Sequence, residues 1–335
     1  MIDVAIVGVS GYTGLELVKI LHNHPHFNIT YVGNTTGETD LISLHPSLAG
    51  VVQMSVEATD AKAIATKASL AFLALPHKAS MGLASQLIEL GVKVVDLSAD
   101  YRLELEKYEE YYTLHEDKKN LSKAVYGLPE YYKDALASTD LVANPGCYPT
   151  ATLLGLLPFA EYIDTNAPIF VDAKSGVSGS GKKLTELNTY VMINENIFAY
   201  NPIKHRHAPE IAEKLSKIKG VEAKINFVPH LLPVTRGMLV SIYATLKEDI
   251  DPIAILKEAY KDEKMVRIRE NPVDIKSTAG TNFCDIYAIK NGDALIISSS
   301  IDNLLRGASS QAVVNANIMC GFESDTGINH IAYVP

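Results

Sequence analysis

The chain has 335 residues, of which 47% are apolar and 21% charged, and its formal net charge is −9. This is the composition of an ordinary globular protein with room for two domains. The negative balance argues against nucleic acid or an anionic membrane as the main partner. No apolar run reaches membrane-spanning length, and the opening MIDVAIVG has neither a basic segment nor a small-residue cleavage site, so we expect no targeting segment.

The first half of the chain alternates strand patterns with helical patterns. The strand patterns are IDVAIV (2–7), ITYVG (29–33), SLAFLAL (69–75), VKVVD (92–96) and DLVAN (140–144). Helical patterns follow in ELVKILHNH and in ASMGLASQLIELG (79–91). Strand–helix–strand repetition with short turns implies right-handed crossovers, so we expect an α/β domain with a doubly wound, Rossmann-type parallel sheet. Residues 101–135 are polar and tyrosine-rich and interrupt this rhythm.

The second half of the chain has longer strand patterns. The predicted elements are a helix at 149–163, a strand at 168–175, a helix at 208–220, the strands AKINFVPH and GMLVSIYATLK, a hairpin in FCDIYAIK-NG-DALIISSSID, and a helix at 303–319. Asn291-Gly292 in that hairpin predicts a type I′ turn. Hairpins and long strands indicate a mixed or antiparallel sheet, so we expect an α+β catalytic and oligomerisation domain over 147–302. The dinucleotide-binding domain would then comprise 1–146 with 303–335.

Three glycines, Gly8, Gly11 and Gly14, separate the first strand from its helix. Glycines at this point permit a tight turn and let a diphosphate approach the positive end of the helix. Their spacing differs from G-x-G-x-x-G, so a turn without a ligand is the alternative. The hydroxyl groups of this turn also suit phosphate. The predicted dinucleotide contacts here are Gly8, Ser10, Gly11, Tyr12, Thr13 and Gly14.

The end of the second strand selects between NAD and NADP. An NAD site places Asp or Glu there to bind the ribose hydroxyls. This chain has Asn34, Thr35 and Thr36 instead. The missing acid favours NADP, with Thr35 as the expected contact. The absence of a nearby Lys or Arg in the sequence leaves NAD open.

Cys147 lies in ANPGCYPTA, just where an apolar helix is about to begin. A free cysteine is most often a small buried hydrophobe, which suits Cys284 and Cys320 in their strand and helix patterns. Cys147 differs, because Pro149 suits a first helical turn and the positive helix end favours a thiolate. It also falls at the predicted domain junction, where clefts form. We therefore interpret Cys147 as a nucleophile. The three cysteines have no disulfide or zinc spacing, which favours the reducing cytoplasm and no metal site.

A nucleophilic thiol needs a base, and the stretch NPIKHRHAPE supplies candidates. His205 and His207 flank Arg206 just before a predicted helix, and Glu210 could orient one imidazole. The alternative is a solvated basic loop capped by Glu210. We favour the catalytic interpretation because it joins a titratable pair to a fixed cation.

Nine motifs follow one another nearly from end to end of the chain. They are VGVSGYTGLEL, FLALPHKASM, VVDLSADYRL, YGLPE, ANPGCYPTA, SGVSGSGKK, HRHAPE, PVTRGML and DNLLRGASSQAVVNAN. In their order and spacing they resemble the N-acetyl-gamma-glutamyl-phosphate reductases of the aspartate-semialdehyde-dehydrogenase-like family. The resemblance implies NADPH-dependent reduction of N-acetyl-gamma-glutamyl phosphate to N-acetyl-glutamate 5-semialdehyde in arginine biosynthesis. Phosphate would leave as a thioester forms on the cysteine.

The resemblance also implies roles for particular residues. His207 matches the family's catalytic histidine best, with His205 second. Substrate anions need cations, for which Arg102 and Arg236 are the candidates in an order left open. The remaining expected contacts are Glu210 at the substrate, and Ser178, Gly179 and Asn315 at the cofactor.

Three alternatives stay open from sequence. The homologous N-acetyl-aminoadipyl-phosphate reductase of lysine biosynthesis takes a substrate one methylene longer, a difference worth only ~1–3 kcal/mol to a pocket. Aspartate-semialdehyde dehydrogenase is less favoured, since GYTG and HRHAPE fit the acetylated-substrate branch. A non-catalytic dinucleotide-binding redox sensor would use Cys147 as an oxidisable thiol, but no resolving cysteine lies near it in sequence.

We expect a homo-oligomer, dimer or tetramer, because the long strands offer a sheet face to another copy.

Overall fold

The computed structural model describes residues 1–333 and divides them into two compact units. The first unit is Met1–Pro145 with Ala308–Ile328, and the second is Gly146–Gly307 with the described residues from Asn329 onward. Sequence analysis assigned 303–335 to the first domain. The structure places 303–307 and 329–333 in the second unit instead. The last two residues of that predicted segment lie outside the described residues.

The described residues form fifteen strands and twelve α-helices. The strands are β1 (Ile2–Val7), β2 (Phe27–Asn34), β3 (Thr39–Asp40), β4 (Ser55–Ala58), β5 (Leu70–Leu73), β6 (Lys93–Asp96), β7 (Val125–Tyr126), β8 (Leu141–Ala143), β9 (Ile169–Gly176), β10 (Phe198–Ala199), β11 (Ile225–Leu232), β12 (Met238–Thr245), β13 (Val266–Ile268), β14 (Cys284–Asn291) and β15 (Ala294–Ile301). The helices are α1 (Tyr12–His22), α2 (Leu41–Leu44), α3 (Ala61–Lys67), α4 (Met81–Glu89), α5 (Leu105–Tyr111), α6 (Lys118–Leu121), α7 (Pro129–Ser138), α8 (Cys147–Leu156), α9 (Tyr190–Ile193), α10 (His207–Lys219), α11 (Pro252–Ala259) and α12 (Ser309–Met319).

The first unit is built on a sheet with the strand order β3-β4-β2-β1-β5-β6-β8-β7. Every neighbouring pair is parallel except β3–β4. All four residues of β5 are buried, which is why that strand reads as an unbroken apolar run. The prediction of a doubly wound α/β sheet is confirmed. The edge strand β7, which the interrupting segment 101–135 contributes, was not predicted from the sequence.

The second unit is built on a mixed sheet with the order β10-β11-β9-β12-β15-β14-β13. Helices α8, α10 and α11 pack on one face. Along β12, buried residues alternate with partly or fully exposed ones, so the opposite face is open. Phe170, Tyr243 and Ile289 are exposed on that open face. The α+β prediction for this part of the chain is confirmed.

The predicted hairpin joins β14 to β15, but its turn is of a different type. Asn291 pairs with Ala294, so Gly292 and Asp293 are the two central residues. Of these two, Gly292 alone has a positive φ, 61°. A type I′ turn needs positive φ at both positions, whereas type II′ needs it at the first, so the prediction of type I′ was wrong.

Two predicted helices have different bounds for identifiable reasons. The helix predicted at 149–163 ends at Leu156 and continues as a 3₁₀ helix over Leu157–Tyr162, because Pro158 has no N–H to extend the α-helix. The helix predicted at 303–319 begins only at Ser309. None of the helices in the described part of the chain is long and apolar enough to cross a membrane.

Candidate active site

Cys147 is the first residue of α8. Gly146 precedes it in an extended conformation as the N-cap, and Pro149 stands in the first turn, where its missing N–H costs no helical bond. The first turn contains no acidic side chain, so nothing in it offsets the positive end of the helix. Cys147 is partly exposed, whereas Cys284 is buried. The thiol therefore combines access with an environment that stabilises negative charge on sulfur.

Glu210 holds the backbone immediately before the cysteine. Its Oε1 accepts the N–H of Gly146 at 3.0 Å, and its side chain is buried in the first turn of α10. A carboxylate at this place favours the start of α10 and also occupies a backbone donor next to Cys147. Glu210 therefore joins the starts of α8 and α10.

His205 and His207 lie side by side where α10 begins, with ring centroids 4.8 Å apart. The backbone N–H of His207 donates to Nδ1 of His205 at 3.2 Å, so the proton of the neutral His205 ring is on Nε2. Burial, assisted by the charge of Arg206, lowers the pKa of His205 to about 4. His205 is therefore a neutral hydrogen-bond donor at physiological pH, and His207 is the partly buried first residue of the helix.

Tyr148 lies edge-on to both imidazoles, with ring centroids 5.8 Å from His205 and 5.7 Å from His207. Its hydroxyl is 3.2 Å from that of Tyr200. Burial raises the pKa of both hydroxyls, that of Tyr200 to about 12, and the charge of Cys147 contributes to both shifts. Both hydroxyls thus keep their protons at neutral pH and lie within electrostatic range of the Cys147 sulfur.

In the first unit, the three glycines after β1 differ in backbone conformation and in the space around them. Gly8 has φ 90°, and a Cβ there would lie 2.2 Å from the carbonyl oxygen of Ala74. A Cβ at Gly14 would lie 2.6 Å from the carbonyl oxygen of Gly8. At Gly11, the N-cap of α1, φ is −84° and the nearest atom to such a Cβ is 3.8 Å away. The fold therefore does not require Gly11, and a glycine there leaves this positive helix end accessible to an anionic ligand. The same turn supplies the other predicted contacts at the start of α1, Tyr12 and Thr13.

The loops after β1 and β2 meet at the carboxyl end of the sheet. Asn34 donates from Nδ2 to Oγ of Ser10 at 3.4 Å, and its Oδ1 accepts the N–H groups of Thr36 and Gly37. Asn34 thus occupies the position where an acid would bind ribose hydroxyls. Thr35 follows it and is exposed. These residues, with the glycine turn, suit the phosphates and ribose of a dinucleotide.

Residues 3–139 match the family model of the semialdehyde dehydrogenase NAD-binding domain, and residues 147–303 match that of the semialdehyde dehydrogenase dimerisation domain. The chain is 64% identical to the N-acetyl-gamma-glutamyl-phosphate reductase of Sulfurovum sp. over the full length of both. It is 57% identical to that of Wolinella succinogenes over 100% of this chain and 99% of the relative. The chain belongs to the N-acetyl-gamma-glutamyl-phosphate reductase family.

Solved structures of more distant proteins share the fold of this reductase family member. Aspartate semialdehyde dehydrogenase II from Vibrio cholerae matches with a TM-score of 0.72 at 16% identity, covering 96% of this chain and 98% of that one. Aspartate semialdehyde dehydrogenase with NADP from Candida albicans matches with a TM-score of 0.68 at 14% identity, covering 96% and 98%. The predicted family is confirmed by the reductase relatives and the two family models. The chain is an oxidoreductase that binds a nicotinamide dinucleotide, and its dimerisation domain indicates an oligomer.

The two arginines predicted to bind substrate are both engaged by the reductase itself. Arg102 is buried in the first unit, where Nε donates to the carbonyl oxygen of Asn144 at 2.7 Å and Nη2 to that of Leu97 at 2.8 Å. These two carbonyls directly follow β8 and β6, so the guanidinium lies at the carboxyl ends of parallel strands. In the second unit, Arg236 donates to the buried carboxylate of Asp302 at 2.8 Å and 3.0 Å.

The other predicted cofactor contacts are also built into the fold. Asn315 on α12 is fully buried, and its Nδ2 donates to the carbonyl oxygen of Gly127 and to Oδ1 of Asn144, both at 3.0 Å. Its nitrogen is therefore engaged within the first unit, and the cofactor contact stays a prediction for its oxygen. In the second unit, Ser178 accepts from Nδ2 of Asn303 at 3.0 Å, in the 3₁₀ turn that also contains Gly179.

Tyr148, Tyr200 and Asp302 were not predicted from the sequence. Tyr148 could have been found from its place next to Cys147, and Asp302 from its place just after the last strand pattern. Tyr200 carries no local signal, because only the fold brings its hydroxyl to Tyr148. In the part of the chain that the structure describes, no group of three or more His, Cys, Asp or Glu side chains is placed to hold a metal ion.

Proposed function

We propose that this chain reduces N-acetyl-gamma-glutamyl phosphate to N-acetyl-glutamate 5-semialdehyde, with release of phosphate, in arginine biosynthesis. The observation that carries the proposal is full-length identity of 57–64% to relatives of that name. Cys147 at the positive end of α8 supplies the group that this chemistry needs. The reaction is an acyl transfer to sulfur followed by reduction.

Cys147 acts as the nucleophile. Its thiolate forms a bond to the acyl carbon of the substrate, the carbon–oxygen bond to phosphate breaks, and phosphate leaves with that electron pair. A thioester on Cys147 results, which splits one difficult step into two easier ones. Backbone N–H groups at the start of α8 point along the helix axis and are the natural donors to the oxyanion that forms in each step.

His207 transfers the protons. His205 is ill suited, because its Nδ1 already accepts a backbone N–H and burial keeps its pKa near 4. His207 takes the thiol proton of Cys147 before attack. A proton is later returned as the thiolate leaves the reduced carbon and the aldehyde forms. His205 holds the start of α10 through its bond to the N–H of His207.

The turn after β1 holds the dinucleotide, whose bound form supplies the hydride that reduces the thioester carbonyl. Gly11 and the start of α1 receive its diphosphate. We assign NADP, because Asn34 stands where an NAD site needs an acid. Thr35 and Ser10 are the candidate contacts on the ribose side, and Asn315 and Ser178 with Gly179 remain the candidates at the nicotinamide.

Arg102 is our candidate for a substrate anion. The bonds to the carbonyls of Asn144 and Leu97 fix the plane of its guanidinium at the carboxyl ends of the strands. Ligands of open α/β sheets bind at these ends. Glu210 supports the substrate site through the turn at Gly146.

The reverse reaction tests the proposal. Purified protein is mixed with N-acetyl-glutamate 5-semialdehyde, NADP⁺ and phosphate, and reduced dinucleotide is followed by absorbance. Turnover should require phosphate and fall on the order of 10³-fold or more in Cys147→Ser. Cys320→Ser is the matched control, since Cys320 is also a partly exposed free cysteine and should be dispensable.

Parallel assays decide between the alternatives. Turnover surviving in Cys147→Ser would refute the thioester route. Faster reaction with NAD⁺, or with the semialdehyde that is one methylene longer, would reassign the cofactor or move the chain to the lysine pathway. No turnover with any pair of substrates would favour the dinucleotide-binding redox sensor.

We also propose that two copies associate through the open face of the second sheet and that the protein works in the cytoplasm. Phe170, Tyr243 and Ile289 expose apolar surface on that face, as a self-association surface requires. All three cysteines are free thiols, which suits a reducing compartment.

A further inference from the structure

Gly307 packs directly against the candidate nucleophile. A Cβ atom added to Gly307 would lie 2.5 Å from Cβ of Cys147 and 2.6 Å from the carbonyl oxygen of Asn303. Neither atom belongs to the flexible end of a side chain, so neither can move aside at low cost. The backbone of residues 302–307, which we call the nucleophile turn, therefore forms a surface against which Cys147 rests.

Asp302 closes the nucleophile turn. Its Oδ1 accepts the N–H groups of Leu304 at 2.9 Å and Leu305 at 3.1 Å. Its own carbonyl oxygen accepts the N–H of Gly307 at 2.9 Å. The side chain and the backbone of one residue thus fix both halves of the turn. This bonding also explains why α12 begins only after the turn.

Arg236 binds the same carboxylate. Its Nε donates to Oδ2 of Asp302 at 2.8 Å and its Nη2 to Oδ1 at 3.0 Å, which is the bidentate geometry of strong arginine–carboxylate pairs. The N–H of Gly280 also donates to Oδ2, at 2.7 Å. Asp302 is fully buried, so its negative charge depends on this cation. Arg236 therefore supplies the compensating charge and two of the bonds that orient this carboxylate.

Asn303 also connects the nucleophile turn to the residues just before β12. Its Oδ1 accepts the N–H of Gly237 at 2.7 Å, and Gly237 directly follows Arg236. Its Nδ2 donates to Oγ of Ser178 at 3.0 Å. Two consecutive residues before β12 therefore hold two consecutive residues of the turn.

We propose that Arg236 is a positioning residue for the Cys147 nucleophile. Arg236 orients Asp302, Asp302 closes the nucleophile turn, and Gly307 of that turn sets the place of the Cys147 side chain. The inference rests on the proposed role of Cys147, and it gives Arg236 a different role from the substrate contact expected from sequence. Lysine cannot replace Arg236 in this role, because one ammonium group does not match both carboxylate oxygens.

Three variants test the proposal. Arg236→Lys keeps the positive charge and removes the bidentate guanidinium. Gly307→Ala leaves the ion pair intact and perturbs the contact with Cys147 directly. Arg267→Lys is the matched control, because Arg267 pairs with buried Asp285 in the same sheet. For each we would measure kcat, KM, melting temperature, and the pH profile of Cys147 alkylation by iodoacetamide, resolved by mass spectrometry of the cysteine peptide.

The expected result separates positioning from binding and from stability. Arg236→Lys and Gly307→Ala should lower kcat roughly 10- to 100-fold with KM within about twofold, and both should displace the alkylation profile. Arg267→Lys should lower the melting temperature at most, with wild-type kcat and alkylation.

Two outcomes would overturn the proposal. A raised KM with wild-type kcat and alkylation in Arg236→Lys would make Arg236 a substrate contact. Wild-type kcat and alkylation in Gly307→Ala would show that the turn does not determine the position of the Cys147 side chain. This test remains valid even if Arg236→Lys fails to fold. Turnover surviving in Cys147→Ser is a separate result that refutes the nucleophile, while the alkylation profiles still report whether Arg236 positions the thiol.

Discussion

Replacing Gly11 by alanine separates what the fold needs of the turn after β1 from what a bound dinucleotide needs. Gly11 has an ordinary φ of −84°, and an added Cβ would find its nearest neighbour 3.8 Å away. Gly8 is the opposite case, with φ 90° and a carbonyl oxygen 2.2 Å from such a Cβ. Gly82 in α4 is exposed and has nothing within 4 Å. These three positions form a graded set within one unit.

The expected magnitudes follow from these environments. Gly11→Ala loses a favourable N-cap residue, worth about 0.5–1 kcal/mol of unfolding free energy, or about 1–4 °C in melting temperature. Gly82→Ala should stabilise by about 0.4–1 kcal/mol. Gly8→Ala should cost more than about 2 kcal/mol, from the left-handed backbone and the clash. If Gly11→Ala also blocks one charge-assisted bond to a phosphate, worth about 1.5–3 kcal/mol, dinucleotide affinity should fall roughly 10- to 150-fold.

Calorimetric titration with NADP⁺ and thermal unfolding of the three variants check these values together. Gly11→Ala should melt near the wild type and bind weakly, and Gly82→Ala should bind like the wild type. A dissociation constant of Gly11→Ala within about twofold of the wild type would refute close approach of the diphosphate at this residue. Unfolding of Gly11→Ala at the level of Gly8→Ala would show instead that the fold itself requires the glycine.

Three further results are expected. The free energy of unfolding should fall as the pH drops from 6.5 towards about 4. This histidine has a pKa of 6.5 in the unfolded chain, whereas burial lowers the pKa of His205 to about 4 in the folded chain, so the unfolded chain binds the proton first. Melting curves of His205→Gln should lack this part of the pH dependence. Glu210→Ala should cost about 1–3 kcal/mol by leaving the N–H of Gly146 without its acceptor, and Glu210→Gln, which keeps an acceptor oxygen, should recover most of that loss in thermal unfolding. Phe170→Glu and Tyr243→Glu should shift the protein to monomers in light scattering, and unchanged mass in both would move the interface elsewhere.

The fold was predictable where local patterns decide the structure. The strand pattern at 2–7 became β1 without change, because its last four residues are buried and form the apolar run typical of a strand covered on both faces. The type I′ turn failed by one residue of register, since Asn291 entered the ladder and left Gly292 and Asp293 in the turn. The edge strand β7 has two residues and lies in a polar segment, so it offers no period to detect.

The candidate site was predictable where one residue and its neighbours in sequence carry the chemistry. Cys147 was proposed from the glycine and prolines around it, and the histidine pair from its place beside Arg206 just before a predicted helix. The state of His205 was not, because its low pKa comes from burial and from a backbone bond that only the folded α10 start provides. Which nitrogen carries a proton is a property of the fold, and the sequence contains only the residue that can titrate.

The pair of Arg236 and Asp302 shows where a long-range signal does lie in the sequence. The two residues are 66 positions apart, and the sequence near one of them does not indicate that it contacts the other. They meet because β12 and β15 are antiparallel neighbours, with Met238 paired to Ile301. Residues just before β12 and just after β15 must then lie at the same end of the sheet, since antiparallel pairing brings the start of one strand to the end of the other. A correct pairing of these strands would therefore have predicted a buried ion pair at that end. Alternation along β12 shows which of its faces is buried, but it does not show which strand lies beside it, so the pair was not predicted.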